Sequence, residues 1–278
     1  LLIALIASLC WTLPYLAGWL SAGDSYLFNG FLLNPIDGNS YLAKMYQGWR
    51  GDWTFKLPYT ADPGDGAYLF VFYLFLGHLA RWTGLSLILT YHLARWLGAL
   101  FLLWTLDIFY HSHGFRGTSK SFAFVLSAFG AGMGWLVFLS GSLTADFWVA
   151  EAYPFLSAYA NPHFPLGLGL LLILLRGDPE KIDPDWLSTW GTRLVVSAVA
   201  LILALVSPFG VVIVLLVRGV RLVWQLIWLS RTQPDRLVKL CYQNRQIRSE
   251  LLIILMILIF AMPVLVYDLV ITRLQPVL

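Results

Sequence analysis

Apolar residues dominate this chain in long runs, at about 1 to 22, 67 to 80, 86 to 110, 121 to 140, 164 to 176, 193 to 217 and 251 to 272. A helix that crosses a bilayer needs roughly twenty such residues, so the pattern predicts an all-α, polytopic transmembrane bundle of about seven spans. Two runs are ambiguous. Ala67 to Gly77 is apolar for eleven residues before His78 and Arg81, about 16 Å as a helix and too short to cross unaided; it reads as an interfacial helix. In the run from 193, Ser207-Pro208-Phe209-Gly210 either kinks one helix or turns a hairpin.

Between the first two runs lies the longest polar segment, where Asn39 to Trp53 has Tyr41, Leu42, Met45 and Trp49 at helical spacing. That pattern predicts an amphipathic helix lying on the membrane. Residues 57 to 66, with Pro58, Pro63, Gly64 and Gly66, form a turn-rich loop.

Composition agrees with the pattern: of 278 residues 59% are hydrophobic and 12% charged, where soluble proteins carry about 25% charged residues. This excludes an ordinary soluble enzyme and a disordered chain. Two cysteines, Cys10 and Cys241, make no disulfide framework or zinc set. Phosphate loops, nucleophile elbows and His-Glu-x-x-His motifs are missing, and basic residues gather at membrane flanks, which argues against nucleic acid. The whole chain reads as one transmembrane module and, from its bare Leu1 start and its end close behind the last run, as part of a longer protein.

Charge orients the module. Residues 218–250 hold seven basic side chains (Arg218, Arg221, Arg231, Arg236, Lys239, Arg245 and Arg248), and Arg116 and Lys120 form a second basic group. The positive-inside rule places both in the cytoplasm. Segments 23–85 and 141–163 then share the extracytoplasmic face. If Ala67 to Trp82 crossed the membrane instead, the bilayer would separate Asp37 from Glu151.

Candidate chemistry falls in those two outer segments. Asp37, in Asn34-Pro35-Ile36-Asp37-Gly38-Asn39, either caps the following helix or serves as a base toward an attacking hydroxyl. Glu151, Asn161 and His163 have ligand chemistry suited to a divalent ion such as Mg or Mn. Gly130 and Gly134 suggest close helix packing. Arg95 and Asp107, near the ends of one run, read as snorkelling or interfacial pairing.

The order of parts resembles the membrane-embedded GT-C glycosyltransferases, which include protein O-mannosyltransferases, aminoarabinose transferases and oligosaccharyltransferase catalytic subunits. The likeness is carried by Asp37, then Tyr41-Leu42-Ala43-Lys44-Met45, Gly48 and Gly51-Asp52-Trp53; by Ala67 to Trp82; by Tyr91 to Leu100; by Asn161-Pro162-His163; and by Ser207-Pro208-Phe209-Gly210. It implies transfer of a sugar from a polyprenyl-phosphate carrier to a hydroxyl acceptor at the outer face, with Asp37 as base. It further implies that Lys44, Arg50, Lys56 or Arg95, or an ion held by Glu151 and His163, neutralises the departing phosphate. Asp37 stands alone where many members carry an acidic pair, and Asn161 stands where an acid is common. A transporter or lipid flippase, and a non-catalytic membrane subunit, are the competing readings.

Overall fold

The computed structural model describes residues 2–23, 27–130, 132, 134–176, 190–232 and 244–274. Expectations at Asp24, Arg236, Lys239, Cys241 and residues 275–278 lie outside the described residues. The described chain is helical, and an isolated antiparallel bridge pairs Phe55 with Ala67. The helices are α1 (Leu2–Ser21), α2 (Pro35–Arg50), α3 (Val71–Thr83), α4 (Leu87–Ser112), α5 (Gly117–Phe129), α6 (Gly134–Phe138), α7 (Pro154–Ala160), α8 (His163–Leu174), α9 (Trp190–Val206), α10 (Pro208–Thr232) and α11 (Arg245–Leu274).

Four of these, α1, α4, α10 and α11, are long and apolar enough to cross a membrane, consistent with an integral membrane protein. Their outer faces expose Leu13, Leu216, Trp224 and Leu255, a surface that suits hydrocarbon. Because lipid is as apolar as leucine, association inside a bilayer relies on close packing, which small residues permit. Ala200 and Ala204 of α9 accordingly meet Ile257 and Ala261 of α11 in one buried cluster. Gly98 of α4 lies against the Pro162 carbonyl, and Gly169 of α8 against the Phe101 ring.

The helices run between two ends. Ile3 and Ala4 of α1 pack with the later part of α4, whereas Tyr15 meets His92 at the start of α4, so α1 and α4 are antiparallel. Gly167 in the first half of α8 faces Ser207, and Arg218 donates to the Leu174 carbonyl at the last residue of α8 (2.6 Å). Residues 207 to 218 therefore retrace α8, and Pro208 turns a hairpin between α9 and α10. At the end away from that turn, Arg218 is buried with Glu250 (2.5 Å), while Lys120 pairs with Asp107 (2.7 Å). Burying both partners of Arg218–Glu250 together avoids leaving either charge uncompensated.

Three expectations are corrected. The amphipathic helix starts at Pro35, not Asn39, and stops at Arg50, because proline is pre-organised for a first turn and Gly51 at φ 114° closes the last one. The 121 to 140 run is not one helix: α5 ends at Phe129 with Gly130 extended, and Asp146 accepts from the Gly134 N–H at 2.9 Å. Closely spaced glycines favour such a break; Gly130 and Gly134 thus form no packing motif on a continuous helix. Residues 141–163 are not simply a loop, since they contain α7.

The close approach instead occurs at Gly48 and Gly77. A Cβ on Gly48 would collide with the Leu74 carbonyl, and one on Gly77 with the Met45 carbonyl, so α2 and α3 pack backbone to backbone. His78 joins them further, buried, within 3.1 Å of the Asp52 carbonyl oxygen and stacked on Trp53. Gly48→Val or Gly77→Val is expected to destabilise the purified protein by at least about 1–3 kcal/mol through overpacking. Gly219→Ala, with nothing within 4 Å, should stay within about 0.5 kcal/mol of the parent. Unfolding midpoints in detergent read both.

Candidate functional site

With α2 and α3 fixed to each other, Tyr41 stacks on Tyr73, ring centroids 4.3 Å apart and 10° from parallel. The Tyr73 hydroxyl lies 2.6 Å from His163 Nδ1 at the start of α8. Below it, Tyr91 of α4, fully buried, donates to Asn161 Oδ1 at 2.5 Å. A chain of aromatic and polar contacts thus joins the first outer segment to the second.

These residues border a cavity of about 520 Å³, within the range of small-molecule sites. Tyr41, Phe70 and Tyr73 come from α2 and the start of α3, Glu151 and His163 from the second polar segment, and Ser207 to Gly210 from the α9–α10 turn. The remaining wall is apolar, with Leu168, Leu171, Ile213 and Val264, and α11 adds Asp268. Phe70 is held at φ 52° and Asn34 at φ 47°, positive values that only these two non-glycine residues adopt among those described. Both immediately precede the interfacial helices, where the local backbone is strained.

Asp37 lies in the first turn of α2 and is exposed. It is not the cap: Asn34 holds that position without a side-chain bond to the backbone, and the Asn34 amide donates instead to the Asp37 carboxylate. An acid in a helix's first turn is favoured by the helix dipole. Asp37 and Glu151 are both felt by Tyr41, whose phenol is pushed up to about 12, first by burial and then by those two carboxylates. Tyr41 also lines the cavity together with Glu151 and meets the His163 ring at 5.2 Å between centroids, so α2 and residues 151–163 share that wall.

Lys44 is buried, bonded to Ser40 Oγ at 2.9 Å, with its ammonium 4.1 Å from the Phe70 ring centre and 4.8 Å from that of Tyr41. Burial lowers its pKa, with Asp37 acting in the opposite direction. Arg50 and Lys56 stand apart. Arg50 is exposed at the last turn of α2, about 20 Å from Asp37 along the helix. Lys56 exposes its side chain while Gln47 clamps its backbone. Arg95 is inside the bundle and not snorkelling: it donates to the Ala158 carbonyl at 2.9 Å, lies 4.1 Å over the Tyr15 ring and is almost fully buried. A cation at the end of α7 complements the terminal carbonyls of that helix.

Of the three residues with metal-ligand chemistry, Glu151 and His163 line one cavity and Asn161 does not. Asn161 is buried with its oxygen on Tyr91, and His163 has Nδ1 occupied by Tyr73. Among the described residues no group of three or more His, Cys, Asp or Glu is placed to hold an ion. The pair Asp268 and Tyr73 was not singled out from sequence. Asp268 had a legible signal, being the only charged residue between Leu251 and Thr272; Tyr73 looks like any other aromatic of a membrane interface.

No family model, curated protein or solved structure matches this chain.

The buried Tyr91–Asn161 bond generates a prediction. Asn161→Leu leaves the Tyr91 hydroxyl with only the Ala160 carbonyl at 3.5 Å, and is expected to cost about 1–3 kcal/mol. Adding Tyr91→Phe should restore most of that, because both polar partners are then gone. Unfolding midpoints of the two single variants and the double variant measure this.

Proposed function

We propose that this chain is a membrane glycosyltransferase of GT-C type, transferring a sugar from a polyprenyl-phosphate donor to a hydroxyl acceptor at the extracytoplasmic face. The observation that carries the reading is the meeting of the two polar segments: Tyr41, one turn after Asp37 on α2, lines a cavity with Glu151 and meets His163, and the rest of the cavity wall is largely apolar. An exposed carboxylate at one end of an apolar helix bundle suits a water-borne acceptor approaching a lipid-borne donor.

In this reading Asp37 removes the proton of the acceptor hydroxyl. The acceptor oxygen attacks the anomeric carbon with inversion as the bond from that carbon to the phosphate oxygen breaks, and the phosphate leaves with the electron pair. Lys44, buried two turns after Asp37 on α2, serves the phosphate. The isoprenoid lies in hydrocarbon beside the helices. Arg95, committed to the α7 carbonyls, positions the second outer segment.

The accompanying topology has seven passes, formed by α1, α4, α5, α8, α9, α10 and α11, with α2 and α3 interfacial. It leaves Lys120, Arg218, Arg221 and Arg248 at the end opposite the cavity, in keeping with cytoplasmic basic residues. The transporter reading draws support only from the turn at Pro208, whereas the acids sit toward one end of the bundle and not at its midplane.

Two outcomes test the reading. Asp37→Asn changes an exposed side chain, so the protein should fold normally yet lose about 10²- to 10⁴-fold in sugar transfer from polyprenyl-phosphate donors; unchanged transfer rejects Asp37 as base. In a Cys10→Ser, Cys241→Ser background, Asp62→Cys and Ser142→Cys should react with an impermeant thiol reagent from outside, while Ser230→Cys should not. Reaction at only one of the first two would put the acids on opposite sides and end the proposal.

A further inference from the structure

The cavity has an unusual charge balance for a site meant to receive a phosphate. Glu151 and Asp268 line it, and no Lys or Arg does among the described residues. Lys44 is held over the rings of Tyr41 and Phe70, bonded to Ser40, outside the lining. His163 reaches the cavity with Nδ1 already engaged by Tyr73.

Asp268 adds an independent observation. It is half-buried in α11, a helix apolar enough to cross the membrane, and none of the ion pairs among the described residues includes it. An ionisable side chain in such a helix is costly to keep without a partner and marks function. Here the missing partner has a place to sit: a cavity of about 520 Å³. Leu168, Leu171 and Ile213 supply an apolar remainder for a chain.

We infer that the cavity binds an amphiphile with a protonated amine head and a hydrocarbon chain, the ammonium shared by Glu151 and Asp268 and the chain lying along the α8 and α10 leucine and isoleucine side chains. The same lining repels phosphate and carboxylate heads. This stands apart from the transferase reading, since it concerns occupancy and not reaction; within that reading the water-borne hydroxyl acceptor meets Asp37 and the donor phosphate stays on the Lys44 side.

Equilibrium binding of dodecylamine, dodecyltrimethylammonium, dodecanol and dodecyl phosphate to the full chain in uncharged micelles near neutral pH tests it. The two cationic ligands should bind about tenfold more tightly than dodecanol, and dodecyl phosphate more weakly than dodecanol. Asp268→Asn and Glu151→Gln, both close in shape to the parent side chains, should each lower amine affinity about tenfold and leave dodecanol binding unchanged; that unchanged binding also reports an intact cavity. Dodecyl phosphate binding as tightly as dodecylamine, or amine affinity unaffected by both substitutions, overturns the inference. Because Asp37→Asn is read by sugar transfer and these variants by binding, the two proposals fail separately.

Discussion

The backbone-to-backbone approach of α2 and α3 at Gly48 and Gly77 is the constraint from which the site follows. With side chains removed at those two positions, the interfacial helices come close enough for Tyr41 to stack on Tyr73. Tyr73 in turn reaches His163, which ties the first outer segment to α8 and through it to the bundle. Dispersion between closely packed helices, which lipid can offer only at lower density, is what makes such a contact favourable in or beside a membrane.

Electrostatics is divided along the bundle axis for a related reason. Charges inside hydrocarbon need partners, and the buried ones have them: Arg218 with Glu250 at one end, Arg95 with the terminal carbonyls of α7 near the other. Asp268, half-buried beside the cavity, has no ion-pair partner among the described residues. Arg95 also shows how a basic residue close to a site can be spent on structure, because a guanidinium that satisfies a helix C-terminus has less left to offer a ligand.

Much of the architecture was legible in the pattern of apolar runs. Helices occur at each run, Ala67 to Gly77 lies within a short helix packed on α2, and the proline at 208 turns the chain. Two sets of contacts were not legible. Gly130 and Gly134 carry the spacing of a packing motif, yet α5 ends at Phe129, and the real contact uses single glycines on separate helices, a pairing invisible along one sequence. Asn161 and His163 have metal-ligand chemistry, but that chemistry does not say which neighbours they meet, and here those are Tyr91 and Tyr73.

What this sequence determined alone is the medium and the layout: hydrophobic runs too long and too uncharged for water force helices whose backbone groups are satisfied internally, and polar residues must collect where the helices end. What only the tertiary structure decided is which ends meet. Periodicity fixes the face a residue occupies on its own helix but not the neighbour across from it. So the meeting of Tyr41, Glu151 and Asp268 at one cavity came from packing between segments more than one hundred residues apart.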